Sequence, residues 1–123
     1  MPKPQAIFLD RDGTLNRERA DYVKSWQEYE WLPGALDALA VLATLGVPIL
    51  VVTNQSAIGR GILDSGVLHA IHAQAQAEAQ PAGGRLDDFL ICPHAPADSC
   101  ACRKPKPGLL LDAAMRYHLD LRR

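Results

Sequence analysis

From Val47 to Val52 the chain reads Val-Pro-Ile-Leu-Val-Val, a run that is apolar throughout and rich in β-branched residues. A strand with no polar face must be covered on both sides, the situation of a parallel strand inside an α/β sheet. Ala6-Ile7-Phe8-Leu9 is a second such run and Phe89-Leu90-Ile91 a third. Between them lie segments of helical period. Pro33 to Leu45 carries Leu36, Leu39, Leu42 or Ala43, and Leu45 at helical spacing, opens on Pro-Gly and stops at Gly46. A second helix is expected from about Asp64 or Ser65, as cap, to Ala79, with Val67, Leu68, Ile71 and Ala75 turned inward and Pro81-Ala82-Gly83-Gly84 as its stop. A third runs from Pro107 through about Tyr117. Leu15 to Trp31 is polar with scattered Tyr22, Trp26, Tyr29 and Trp31, and reads as a flap rather than a core element. The alternation predicts a Rossmann-like α/β fold, a parallel sheet with helices on both faces and right-handed crossovers, over residues 1–123 as a single domain.

Composition narrows the partners. With 123 residues, 48% hydrophobic, one core is expected, and a formal net charge of -1 gives no long-range attraction to nucleic acid or to a membrane surface. The start, Met-Pro-Lys-Pro-Gln, lacks the basic-then-apolar pattern of a signal peptide, and no apolar run approaches the ~20 residues that span a bilayer. A cytoplasmic location is the expectation. Any anion site must therefore be built locally.

The first strand ends on Asp10-Arg11-Asp12-Gly13, and open parallel sheets bind ligands at that carboxyl end. Two carboxylates so close favour a bound cation; magnesium would leave Asp10 as a nucleophile and Asp12 as a proton donor, while Gly13 lets the backbone turn toward an anion. The same four residues also suit an ordinary Asx-type turn. Thr53 ends the second strand and offers a hydroxyl to a phosphoryl oxygen, though a Thr there is often a turn residue. Lys104 sits in a Pro-interrupted loop with Arg103 and Lys106, where a fixed positive charge would serve phosphoryl transfer and a solvated basic face is the plainer reading.

Cys92 and His94, then Cys100 and Cys102, form two ligand pairs with one residue inside each and five between. Three thiolates and an imidazole on one loop suit tetrahedral structural zinc, and surface thiols beside a chance histidine are the alternative. His69, His72 and His118 read as solvated or packed and receive no role.

Taken in order, Phe8-Leu9-Asp10-Arg11-Asp12-Gly13-Thr14-Leu15-Asn16, Val52-Thr53-Asn54-Gln55-Ser56 and Cys102-Arg103-Lys104-Pro105-Lys106-Pro107-Gly108 resemble the first three motifs of the haloacid dehalogenase superfamily. Within it the resemblance is to subfamily IIIA, the group of heptose 1,7-bisphosphate and histidinol-phosphate phosphatases. It implies a magnesium-dependent phosphomonoesterase acting on a small phosphorylated sugar through an aspartyl-phosphate. Asp10 would be the nucleophile and, with the Asp12 carbonyl, a magnesium ligand; Asp12 would be the general acid and base. Thr53 and Lys104 would hold the phosphoryl group. Gly13, Asn54, Gln55, Ser56 and Arg103 would line the substrate, with Arg60 a second anion contact and Arg19 to Tyr22 a weaker match to a substrate loop. The resemblance also places zinc on the Cys92, His94, Cys100 and Cys102 loop.

The superfamily's fourth motif, a Gly-Asp followed by another acid, has no counterpart; Asp120 is the last acid and no Gly precedes it. Without that carboxylate magnesium affinity is expected to fall, and the first strand is expected to have an uncovered edge open to self-association or to another chain. A catalytically weak, zinc-braced fragment is the competing expectation, and histidinol phosphate the competing substrate.

Overall fold

The apolar run at the centre of the sequence is the centre of the sheet. The computed structural model describes residues 5–94, 104 and 108–119. Its elements, in chain order, are β1 (Ile7–Leu9), α1 (Ala35–Ala43), β2 (Ile49–Asn54), α2 (Ser56–Gly59), α3 (Ser65–Ala79), β3 (Asp88–Cys92) and α4 (Gly108–Tyr117), with a 3-10 turn at Trp26–Glu28. The strands lie in the order β1-β2-β3 and both pairings are parallel. Ile7 faces Ile49 in register, and Thr53 and Asn54 face Ile91 and Cys92.

Alternation along β2 divides the core. Ile49 and Val51 join Leu39 of α1 and Ile71, Ala75 and Ala79 of α3 on one face; Leu50 and Val52 join Leu90, Cys92 and α4's Leu109 and Ala113 on the other. Helices thus cover both faces, and the expected α/β class holds. Asp64 caps α3 by accepting from the Gly66 N–H at 2.7 Å, and Leu68, Ile71, His72, Ala75 and Ala79 form the buried stripe at helical period. Gly84, in the segment between α3 and β3, lies so close to α1 that a Cβ there would be 2.8 Å from the Cβ of Leu39.

Four expectations need correction. The second strand is Ile49–Asn54 rather than 47–52: Pro48 has no N–H for a ladder, its carbonyl takes the Ile7 N–H at 2.8 Å, and pairing with β3 carries the strand on through Asn54. Val67 is 43% exposed, because it precedes the stripe begun by Leu68. Leu45 is exposed because α1 ends at Ala43. The flap belongs to the core: Leu15, Val23 and Tyr29 are buried with α1 and α3. Tyr29 stacks on Trp26 at 4.9 Å and meets Trp31 edge-on at 5.2 Å. Trp31 Nε1 donates to Glu78 at 2.9 Å, which fastens the flap to α3.

Among the described residues β1 forms the edge of the sheet, and its three residues are half-buried where the first five of β2 are fully buried. No helix among them is long and apolar enough to cross a membrane.

Candidate active site

The carboxyl ends of β1 and β2 open into a cavity of about 480 Å³ lined by Asp10, Asp12, Thr53, Arg60 and Lys104 together with Arg19 and Tyr22 of the flap. Parallel pairing puts the two strand ends side by side, which is why residues 43 positions apart, Asp12 and Gln55, share a hydrogen bond. Gly13 follows with a φ of 84°, a left-handed turn that a side chain would strain. Its N–H donates to the Asn16 carbonyl at 2.8 Å, so the turn closes on itself.

Asp10 carries two donors on one oxygen. Lys104 Nζ and the Arg11 backbone N–H, the latter at 3.0 Å, both donate to Oδ1, and Oδ2 accepts no hydrogen bond among the described residues. An oxygen left open beside a cation is the disposition of a nucleophile. Lys104 is itself held: its Nζ donates to the Val52 carbonyl at 2.8 Å, its N–H donates to Asn54 Oδ1 at 2.9 Å, and Asn54 Nδ2 reaches its carbonyl at 3.4 Å. Asn54 therefore grips the lysine's main chain from the end of β2. That leaves one Nζ proton for a ligand.

Thr53 is buried and its Oγ1 accepts from Gln55 Nε2 at 2.8 Å, so its own proton is available to a ligand oxygen. Gln55 Nε2 also donates to Asp12 Oδ2 at 3.0 Å. Ser56 and Gln55 open the short helix α2, which the sequence did not suggest; four residues carry too little periodicity to be seen. Arg60, just after it, lines the cavity and makes no ion pair among the described residues.

The flap reaches the cavity through a web of charges. Arg19 pairs with Asp21 at 3.1 Å and Glu28 at 3.4 Å, and Lys24 pairs with Asp21 at 3.2 Å. The hydrogen bonds from Arg19 and Lys24 hold the Asp21 carboxyl down at about 2. Between them Tyr22 takes a φ of 67°, a costly conformation for a bulky residue that the web maintains.

The donor set suits a hard cation. The Asp10 carboxylate and the Asp12 carbonyl, which accepts no hydrogen bond among the described residues, are hard oxygen donors. No cluster of three acidic, His or Cys side chains accompanies them among those residues. Of the second ligand set, Cys92 is buried and its Sγ lies 3.7 Å from His94 Nδ1. Cys100, Cys102 and Arg103 fall outside the described residues.

Two buried residues escaped the sequence reading. Arg11, 1% exposed, and His72, 3% exposed, meet at 3.1 Å beneath Asp12. A signal for His72 was present: it lies four residues after Leu68 and three before Ala75, on the buried stripe of α3.

Known proteins resemble this arrangement over nearly its whole length. The D-glycero-beta-D-manno-heptose-1,7-bisphosphate 7-phosphatase of Bordetella bronchiseptica is 44% identical over 115 residues, 94% of this chain and 64% of that protein. Its counterpart in Mycobacterium bovis, a D-glycero-alpha-D-manno-heptose-1,7-bisphosphate 7-phosphatase, is 44% identical over 90% of this chain and 59% of its own length. The crystal structure of the Bordetella D,D-heptose 1,7-bisphosphate phosphatase, complexed with magnesium and phosphate, superposes with a TM-score of 0.90 over 95% of this chain and 65% of that one. A Mesorhizobium loti protein assigned as a HAD-like phosphatase gives 0.84 at 34% identity, over 98% of this chain and 61% of that one. In sequence and in fold the chain is similar to haloacid-dehalogenase-type phosphatases. Within that family its likeness is to the heptose bisphosphate phosphatases, of whose length it spans less than two thirds. No family model matches the chain.

Proposed function

We propose that this chain carries the nucleophile half of a magnesium-dependent phosphomonoesterase acting on a small phosphorylated sugar, with heptose 1,7-bisphosphate as the leading substrate. The observation that supports this most is Asp10, which lines the cavity, takes Lys104 on Oδ1 and accepts no hydrogen bond on Oδ2 among the described residues. In the first step Oδ2 attacks phosphorus, the bond to the sugar oxygen breaks, and Asp12 gives its proton to that oxygen. In the second step Asp12 takes a proton from water, the water oxygen attacks phosphorus, and the Asp10 carboxylate leaves with inorganic phosphate released. Thr53 Oγ1–H and the remaining Lys104 proton bind phosphoryl oxygens, and their fixed positions favour the charge that spreads onto those oxygens in the transition state.

Asp10 and the Asp12 carbonyl would hold magnesium, whose contribution when bound is to neutralise phosphoryl charge. Arg60, which lines the cavity and makes no ion pair among the described residues, would supply positive charge for a second phosphate, with Arg19 in the same lining. Gln55 and Ser56, at the start of α2, would contact the substrate, and the family resemblance would add Arg103. Cys92 and His94, with Cys100 and Cys102, would bind structural zinc and brace the loop bearing Lys104. The outer edge of β1, which pairs with no strand among the described residues, could serve self-association.

The test is magnesium-dependent phosphate release from heptose 1,7-bisphosphate and from histidinol phosphate, with Asp10→Asn as the blank. Release from the heptose that vanishes in the blank supports the reading. A preference for histidinol phosphate would move the substrate, and no release from a folded chain would leave it an inactive half-site.

A further inference from the structure

We infer that Arg11 and His72 are positioning residues that lock the Asp12 carboxylate so that Oδ2, not Oδ1, is the atom that gives and takes the proton. The inference rests on the phosphatase reading above and adds to it two residues and one atom.

A guanidinium with 1% exposure is costly to bury unless every face is answered. Arg11 Nη2 and Nε both donate to Asp12 Oδ1, at 2.7 and 3.2 Å, and Nη1 meets His72 Nε2 at 3.1 Å. The Tyr29 ring lies 5.9 Å from its central carbon. Arginine has only donors, so His72 Nε2 must accept and its ring proton must sit on Nδ1. The imidazole is stacked on Phe89 at 3.9 Å and 8°, which fixes its plane. Burial, helped by the charge of Arg11, pushes its pKa down to about 3, so it remains a neutral acceptor at working pH. The bracket runs from β3 through α3 to the turn after β1, and it sets the guanidinium's rotation.

The consequence falls on Asp12. Oδ1 receives Arg11 Nε, Arg11 Nη2 and Asn16 Nδ2, the last at 3.0 Å, which saturates it. Among the described residues Oδ2 receives only Gln55 Nε2 and keeps a lone pair. A proton placed on Oδ1 would displace a charge-assisted bond, whereas one on Oδ2 displaces nothing. Without His72, the Nη1 donor is left buried and unanswered, the guanidinium turns to find a partner, and Oδ1 and Oδ2 lose their distinction.

The test compares His72→Phe, which keeps the stack and removes the acceptor, with His72→Gln, whose amide oxygen can reach Nη1. The expected result is a fall in kcat of at least ~10-fold in His72→Phe with KM within about twofold, and recovery of most of that loss in His72→Gln. Equal kcat in wild type and His72→Phe, per folded molecule, would overturn the inference, as would equal losses in both variants. If the wild type releases no phosphate above the Asp10→Asn blank, the phosphatase reading fails and the bracket is judged by NMR instead. The Arg11 Nε–H signal should then be shifted and protected from exchange in wild type and His72→Gln, and exchange-broadened in His72→Phe. A wild-type signal that exchanges like free arginine would sink the bracket itself.

Discussion

Acidification should unfold this chain partly through one histidine. His72 ionises with a pKa near 6.5 when unfolded, and burial lowers that to about 3 in the fold, with Arg11 adding to the effect and Asp12 opposing it. The folded state therefore refuses a proton that the unfolded state accepts. Stability from this source is complete above pH 6.5 and drains as pH falls toward the folded value, with a slope of one proton. Two units below 6.5 the loss is roughly 2–3 kcal/mol, a large share of the stability of a small domain. The assay is urea unfolding at pH 7 and about pH 4.5 for wild type and His72→Gln. Carboxylates such as Asp21 titrate in both proteins, so the difference between the two pH shifts isolates His72. The wild type should lose roughly 2–3 kcal/mol more than the variant between those conditions. Parallel loss in the two proteins would refute the buried, neutral His72.

Three other substitutions or treatments test separate parts. Gly84→Ala would put a Cβ 2.8 Å from that of Leu39 and should cost roughly 1–3 kcal/mol in thermal or urea unfolding. Asn54→Ala releases the main chain of Lys104 and should lower kcat for phosphate release by ~10-fold or more while the fold stays intact by circular dichroism. Zinc should be present at one equivalent by elemental analysis, and a chelator should lower the melting temperature of wild type while leaving that of Cys92→Ser unmoved.

Much of this was legible because the signals are local. Apolar runs between helical segments mark β1, β2 and β3 as parallel strands, and Asp10 and Thr53 sit at strand ends, where Asn54 holds the main chain of Lys104. What the sequence did not show depends on contacts between distant residues. The flap looks polar, yet Leu15, Val23 and Tyr29 reach the core only because α1 and α3 leave a groove for the aromatic stack. Arg11 lies inside the clearest motif and received no role, since its partner His72 is 61 residues away. Asn54 reads as a ligand for substrate, and the structure gives its side chain to Lys104.

The central claim is that Asp10 is the atom-bearing nucleophile. Acid-quenching the chain during turnover of heptose 1,7-bisphosphate with magnesium, then mapping the phosphoryl group by mass spectrometry, tests it directly. A hydroxylamine-sensitive phosphoryl group on the peptide containing Asp10, absent from Asp10→Asn, is the predicted result. Turnover with no such adduct, or undiminished in Asp10→Asn, would contradict it.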